Sequence, residues 1–99
     1  MLNINKTIEN RKAVFALVGR MDTTTAPELE KELKVALDGV SELVLDFAGL
    51  EYISSAGLRV LLSAQKIMNK QGSMKLKNVN ETIREIFEVT GFSEILTVE

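Results

Sequence analysis

From Thr25 to Gly91 the spacing of apolar residues switches from helical to extended and back, twice, and this alternation restricts the fold more than any other feature. Thr25-Ala26-Pro27-Glu28 opens a helix: a threonine able to cap, a proline in the first turn, and a glutamate three residues on that completes a capping box. Ala26, Leu29, Leu33, Ala36 and Leu37 share one face, and Gly39 stops the run. Leu43 to Phe47 is the most apolar strand candidate and hence the expected centre of a sheet, with Ala48 to Ile53 read as the loop after it. A second helix, expected to be deeply packed, runs from Ser54 or Ser55 to about Gln71, with Gly72 as its C-cap. Met74, Leu76 and Val79 mark another strand. Asn80 caps a third helix that turns Ile83, Ile86, Phe87 and Thr90 inward before Gly91, and Ile95 to Val98 reads as a short strand or a helical tail.

Upstream, Leu2, Ile4 and Ile8 alternate with polar residues, and Glu9 to Lys12 is a polar turn. Ala13 to Val18 is almost wholly apolar, the pattern of a strand buried on both faces, so the two segments form a hairpin. The expected fold is a single α/β domain over residues 1–99, a mixed sheet of an antiparallel hairpin and parallel strands packed against α-helices.

Composition narrows the chemistry. The chain has no cysteine and no histidine, which removes disulfides, thiol nucleophiles, the usual zinc, iron and copper ligands, and the usual general base near neutral pH. Twelve Lys and Arg against fourteen Asp and Glu, with the lysines dispersed, argue against nucleic-acid binding. No apolar run approaches a membrane span, so no membrane insertion is expected. Met1 to Asn5 lacks the pattern of a secretory signal, so a cytoplasmic location is expected.

In α/β sheets, ligands and partners dock beyond the carboxyl ends of the parallel strands. Gly19 to Thr25 and Ala48 to Gly57 lie at that edge, the second with two hydroxyls, Ser54 and Ser55, directly before a helix. One serine caps the helix, and Gly57 lets the first turn approach the sheet. A helix N-terminus also tolerates an added phosphate, so a phosphorylation switch is compatible with the same residues. A serine hydrolase is disfavoured, because no G-x-S-x-G elbow and no histidine base exist, and no phosphate-binding glycine motif occurs. Asp22 and Asp46 close strand segments near this edge, either accepting backbone N–H groups or forming a pair able to hold magnesium.

Gly19-Arg20-Met21-Asp22 followed by Ala26-Pro27-Glu28-Leu29, then Leu43 to Phe47 with Leu50, then Tyr52 to Leu58, then Thr90 to Leu96 together resemble the STAS domain in its small bacterial form, the anti-sigma factor antagonist. The resemblance covers about Leu2 to Val98. It implies a non-enzymatic binding protein with no cofactor, no metal and no catalytic residue. A serine in a D-S-[ST]-G-L stretch of that family, placed at Ser55 by alignment on Gly57-Leu58, is phosphorylated by a GHKL-type serine kinase that is also the anti-sigma factor, and a PP2C-type phosphatase removes the phosphate. Ser54 stands where many members have Asp, and Ala56 where many have Ser or Thr. On this resemblance Ser55 carries the switch, and Asp22, Thr23, Asp46, Ser54, Gly57 and Arg59 form the docking surface around it. The alternative within the family is an unphosphorylated subunit of an ABC-type lipid-transport complex.

Overall fold

A computed structural model describes residues 1–99. Strands β1 (Leu2–Glu9) and β2 (Lys12–Met21) form the hairpin, joined at Asn10 and Arg11, both at positive φ (50° and 68°) as a two-residue turn matched to strand twist requires. Arg11 tolerates this conformation because its surroundings hold it. Its carbonyl accepts from the N–H groups of Ser41 and Glu42, and its Nε donates to the carbonyl of Gly39. Helix α1 (Ala26–Ala36), strand β3 (Glu42–Ile53), helix α2 (Ser55–Gln71), strand β4 (Ser73–Lys77) and helix α3 (Glu81–Thr90) follow. The sheet order is β1-β2-β3-β4, with β1 antiparallel to β2 and the remaining pairs parallel.

One face of this sheet carries the core. Ala13, Phe15, Leu17, Leu43, Leu45, Phe47, Met74 and Leu76 project into a single cluster with Leu29 and Leu33 of α1, Leu61 and Met68 of α2, and Ile83 and Phe87 of α3. Met21, Met68 and Met74 are all buried within it. β2 was expected to be buried on both faces, but Val14 and Ala16 are only half-buried and Val18 is exposed. No helix covers that side of the sheet, and small apolar side chains there mimic the run of a doubly covered strand. Ile8 likewise shares the core-side parity of β1 but is half exposed, because the outer end of this edge strand projects beyond the helices.

β3, at 12 residues, is more than twice as long as the apolar run Leu43 to Phe47: Ala48 to Ile53, expected as a loop, continues the strand. Register shifts between Ala16 and Val18 and between Gly19 and Arg20 place Phe47, Leu50 and Ile53 on the core side at spacings of three, which hides the period of two. After α2, Gly72 adopts extended backbone (φ 172°), and glycine is required for space: a Cβ there would lie 1.8 Å from the carbonyl oxygen of Ser41. Asn80 caps α3 by accepting from the N–H of Ile83 at 2.8 Å, and Gly91 ends it in the left-handed region. Thr90, expected inward, is exposed and donates to the Ile86 carbonyl. Beyond a short 3₁₀ turn at Phe92–Glu94, Val98 forms one parallel bridge with Leu76, so the tail lies along the outer edge of β4.

Candidate functional site

β2 and β3 end side by side, Met21 opposite Ile53, and the N–H of Ser54 donates to the carbonyl of Met21 at 2.8 Å. The segments that follow, Asp22 to Thr25 and Ser54 to Gly57, are thereby held at one edge of the sheet. In the first, the Asp22 carboxylate folds back into its own turn. One of its oxygens accepts from the N–H of Thr24 at 2.9 Å, the Thr24 hydroxyl at 2.7 Å and the N–H of Thr25 at 3.1 Å. The Thr24 hydroxyl, then the backbone N–H groups of Thr25 and Thr24, hold this carboxyl down at about 2, from an ordinary value of 3.8.

Thr25 does not act as the expected capping box. It sits at the N-cap of α1 in helical backbone with no side-chain cap bond, and Glu28 is exposed with no partner. The Thr25 hydroxyl faces inward, donating to the Arg20 carbonyl and accepting from the N–H of Asp22, both at 2.9 Å. The Asp22 carboxylate takes the Thr25 N–H that Glu28 would accept in a capping box, and the Glu28 N–H donates to the Thr25 carbonyl, leaving the threonine hydroxyl to stitch the loop to the end of β2.

The second segment matches its sequence pattern closely. Ser54 is the N-cap of α2, its Oγ accepting from the N–H of Gly57 at 3.4 Å, and Ser55 begins the helix. Ser55 is exposed and its hydroxyl has no protein partner. Gly57 is buried where a Cβ would lie 2.6 Å from Ile53 Cγ1 and 2.8 Å from Met21 Sδ, so glycine alone lets α2 start this close to the strand ends. Arg59, one turn beyond Ser55, is exposed and shares a shallow groove of about 290 Å³ with Thr23, Pro27, Glu30 and Ala56.

Asp22, Thr23, Ser54, Ser55, Gly57 and Arg59 therefore gather at one edge, and Asp46 does not. Asp46 pairs with Ala16, six residues before Asp22 on the neighbouring strand, roughly 20 Å away at the usual rise of a strand. There its carboxylate accepts from Asn78 Nδ2 at 2.9 Å and the N–H of Ala48 at 3.0 Å, bonds that, with the Lys77 charge, hold it below the ordinary carboxylate range. The two aspartates cannot share a cation across that separation. The misplacement follows from reading the strand as ending at Phe47. Sequence reasoning also missed the Arg20 guanidinium stacked over the Tyr52 ring, 4.8 Å from its centroid, because a shift in register creates that pairing.

The STAS domain family model matches residues 3–99. This chain belongs to the STAS family. Among relatives of this STAS domain is a Bordetella bronchiseptica protein assigned as an anti-sigma factor antagonist, BtrV, 41% identical over 87 residues, or 86% of this chain and 75% of that protein. The anti-sigma-B factor antagonist of Bacillus subtilis is 28% identical over 98% of this chain and 92% of its own length. In fold, the domain is similar to an anti-sigma factor antagonist from Mycobacterium paratuberculosis, with a TM-score of 0.87 at 22% identity, covering 99% of this chain and 85% of that one. It is also similar to the phosphorylated form of the Bacillus cell fate determinant SpoIIAA, with a TM-score of 0.75 at 18% identity over 100% and 91% of the two chains. No helix of the molecule is long and apolar enough to cross a membrane.

Proposed function

We propose that this STAS domain is an anti-sigma factor antagonist that acts in the cytoplasm, binding without catalysis. In its unphosphorylated state it binds an anti-sigma factor of the GHKL serine-kinase type and so releases a sigma factor. Phosphorylation of Ser55 by that kinase ends binding, and a PP2C-type phosphatase restores it. One observation carries the proposal: of the two serines at the start of α2, Ser54 is engaged as the cap while the Ser55 hydroxyl is free and exposed in the first turn. The relatives named above support this role over that of a transport subunit. A phosphate on Ser55 meets unpaired N–H groups and the positive end of the helix dipole, so the fold accommodates it. A partner pressed on the same edge must desolvate a dianion or place charge beside it. The docking surface comprises Asp22, Thr23, Ser54, Ser55 and Arg59, and Gly57, buried beneath it, sets how closely the start of α2 approaches the strand ends.

Incubation with the kinase and ATP, followed by intact-mass measurement, tests the acceptor. Ser54→Ala gains one phosphate and Ser55→Ala none. Full phosphorylation of Ser55→Ala refutes the assignment.

A further inference from the structure

Helix α2 contains no aspartate or glutamate, and its three cations, Arg59, Lys66 and Lys70, follow Ser55 at spacings of four, eleven and fifteen residues. Those spacings place all four on one stripe. All four are exposed, and none of the three cations pairs with a carboxylate; the ion pairs of the molecule are Lys6–Glu32, Lys12–Glu42 and Lys75–Glu99. Lys34 of α1, also unpaired, adds a fourth cation where it borders the groove beside Ser63 and Ile67. Glu30 is the one carboxylate lining the two grooves between α1 and α2. The ridge from Ser55 to Lys70 is roughly 22 Å long at the rise of an α-helix. Its charge is a local bias, since the whole chain has a net charge of −2 and the exposed side of α3 carries Glu81, Glu85 and Glu88.

We propose that this cationic ridge extends the docking surface of the Ser55 edge along α2 and receives an acidic face of the protein partner. The inference rests on the antagonist function proposed above and adds the charge of the surface the partner presents. A lipid bilayer fits the ridge less well. A helix that inserts into lipid needs exposed aromatic or large aliphatic side chains, whereas Leu62 is half-buried and the exposed large hydrophobic residues, among them Val18, Val35, Val89 and Ile95, all lie off α2. An acidic partner also couples the ridge to the switch. Phosphate on Ser55 places about −1.5 to −2 charges on the same stripe, one turn from Arg59, so it removes attraction and adds repulsion at once.

The test compares the intact domain with its Lys66→Glu/Lys70→Glu form, using the purified GHKL-type kinase as the binding probe. Both substitutions lie at least eleven residues from Ser55 on an exposed face, and circular dichroism and melting confirm that the fold is kept. At about 50 mM NaCl the double variant should bind about 10- to 100-fold more weakly, and at about 500 mM, where screening shortens the reach of charge to about 4 Å, the difference should shrink below about threefold. Glu85→Lys on α3 should bind within about twofold of the parent at either salt concentration. Undiminished binding by the double variant at low salt overturns the ridge while leaving Ser55 as the switch. Failure of the parent domain to bind the kinase overturns both. Cosedimentation of the parent with phosphatidylserine-containing vesicles, lost in the double variant while kinase binding is unchanged, overturns the proposal in favour of a membrane surface.

Discussion

Thr25→Val isolates what the first loop contributes, because it replaces a hydroxyl by a methyl of nearly the same shape. Thr25 is only 4% exposed, and its hydroxyl both donates to the Arg20 carbonyl and accepts from the Asp22 N–H. Two such bonds contribute about 1 kcal/mol each, and their partners lose part of their hydrogen bonding in a buried turn. The added methyl gains at most about 0.8 kcal/mol from burial, less whatever the turn cannot accommodate. The net loss should be on the order of 2 kcal/mol, equivalent to a fall in Tm of about 8 to 16 °C for a domain of this size. A capping box would behave differently: Thr25→Val would cost nearer 1 kcal/mol, and Glu28→Ala would also be felt as the loss of the reciprocal partner. In this structure Glu28→Ala should cost no more than about 0.5 kcal/mol, the share of an exposed acid in the first turn of a helix. Urea denaturation of both variants, with m unchanged, is the assay. A loss below about 0.5 kcal/mol for Thr25→Val, or equal losses for the two, refutes the inward-facing hydroxyl.

Two further outcomes follow from the same edge. Gly57→Ala forces a Cβ against Ile53, whose β-branched side chain cannot swing aside, and against the more yielding Met21; overpacking of about 1 to 3 kcal/mol outweighs the helix-propensity gain of up to about 1 kcal/mol, so chemical denaturation should report a net loss of about 1 to 2 kcal/mol, and an unchanged or raised stability would show that α2 starts with space to spare. Asp22 binds its proton less readily folded, at about 2, than unfolded, so its contribution is present above about pH 4 and is lost as pH falls toward 2; Asp22→Asn should flatten the fall in stability across that window, and identical pH profiles would contradict the Thr24 and Thr25 hydrogen bonds.

The element order is legible because each helix announces itself twice, by a face of apolar residues and by its end signals. Asn80 and Gly91 bracket α3 as read, and Ser54 and Gly72 bracket α2. Two features escape such reading because they depend on other parts of the chain. The length of β3 is masked where the sheet slips register, and Asp46 is assigned to the wrong level of the sheet as a direct consequence. The uncovered face of β2 looks buried because valine and alanine do not report which helices lie above them. At the site, Ser55, Gly57 and Arg59 are legible from their distance to the helix start, which is local. The inward turn of Thr25 is less so, since Asp22 and Thr25 both suit a helix start and only the fold decides that the Asp22 carboxylate takes the Thr24 and Thr25 N–H groups while the Thr25 hydroxyl takes that of Asp22. The Asp-Thr-Thr-Thr run held a usable signal for an aspartate bonded to the backbone two residues on.

Calorimetric titration of the GHKL-type kinase with the Ser55-phosphorylated and unphosphorylated domain tests the central claim most directly, with circular dichroism and melting recorded for both forms. The fold should persist in each, because the start of α2 offsets the added charge by roughly 0.3 to 1 kcal/mol. Affinity should fall by more than about a hundredfold on phosphorylation, the equivalent of roughly 3 kcal/mol at the contact. Equal affinities for two intact forms would contradict the account and remove Ser55 as the switch.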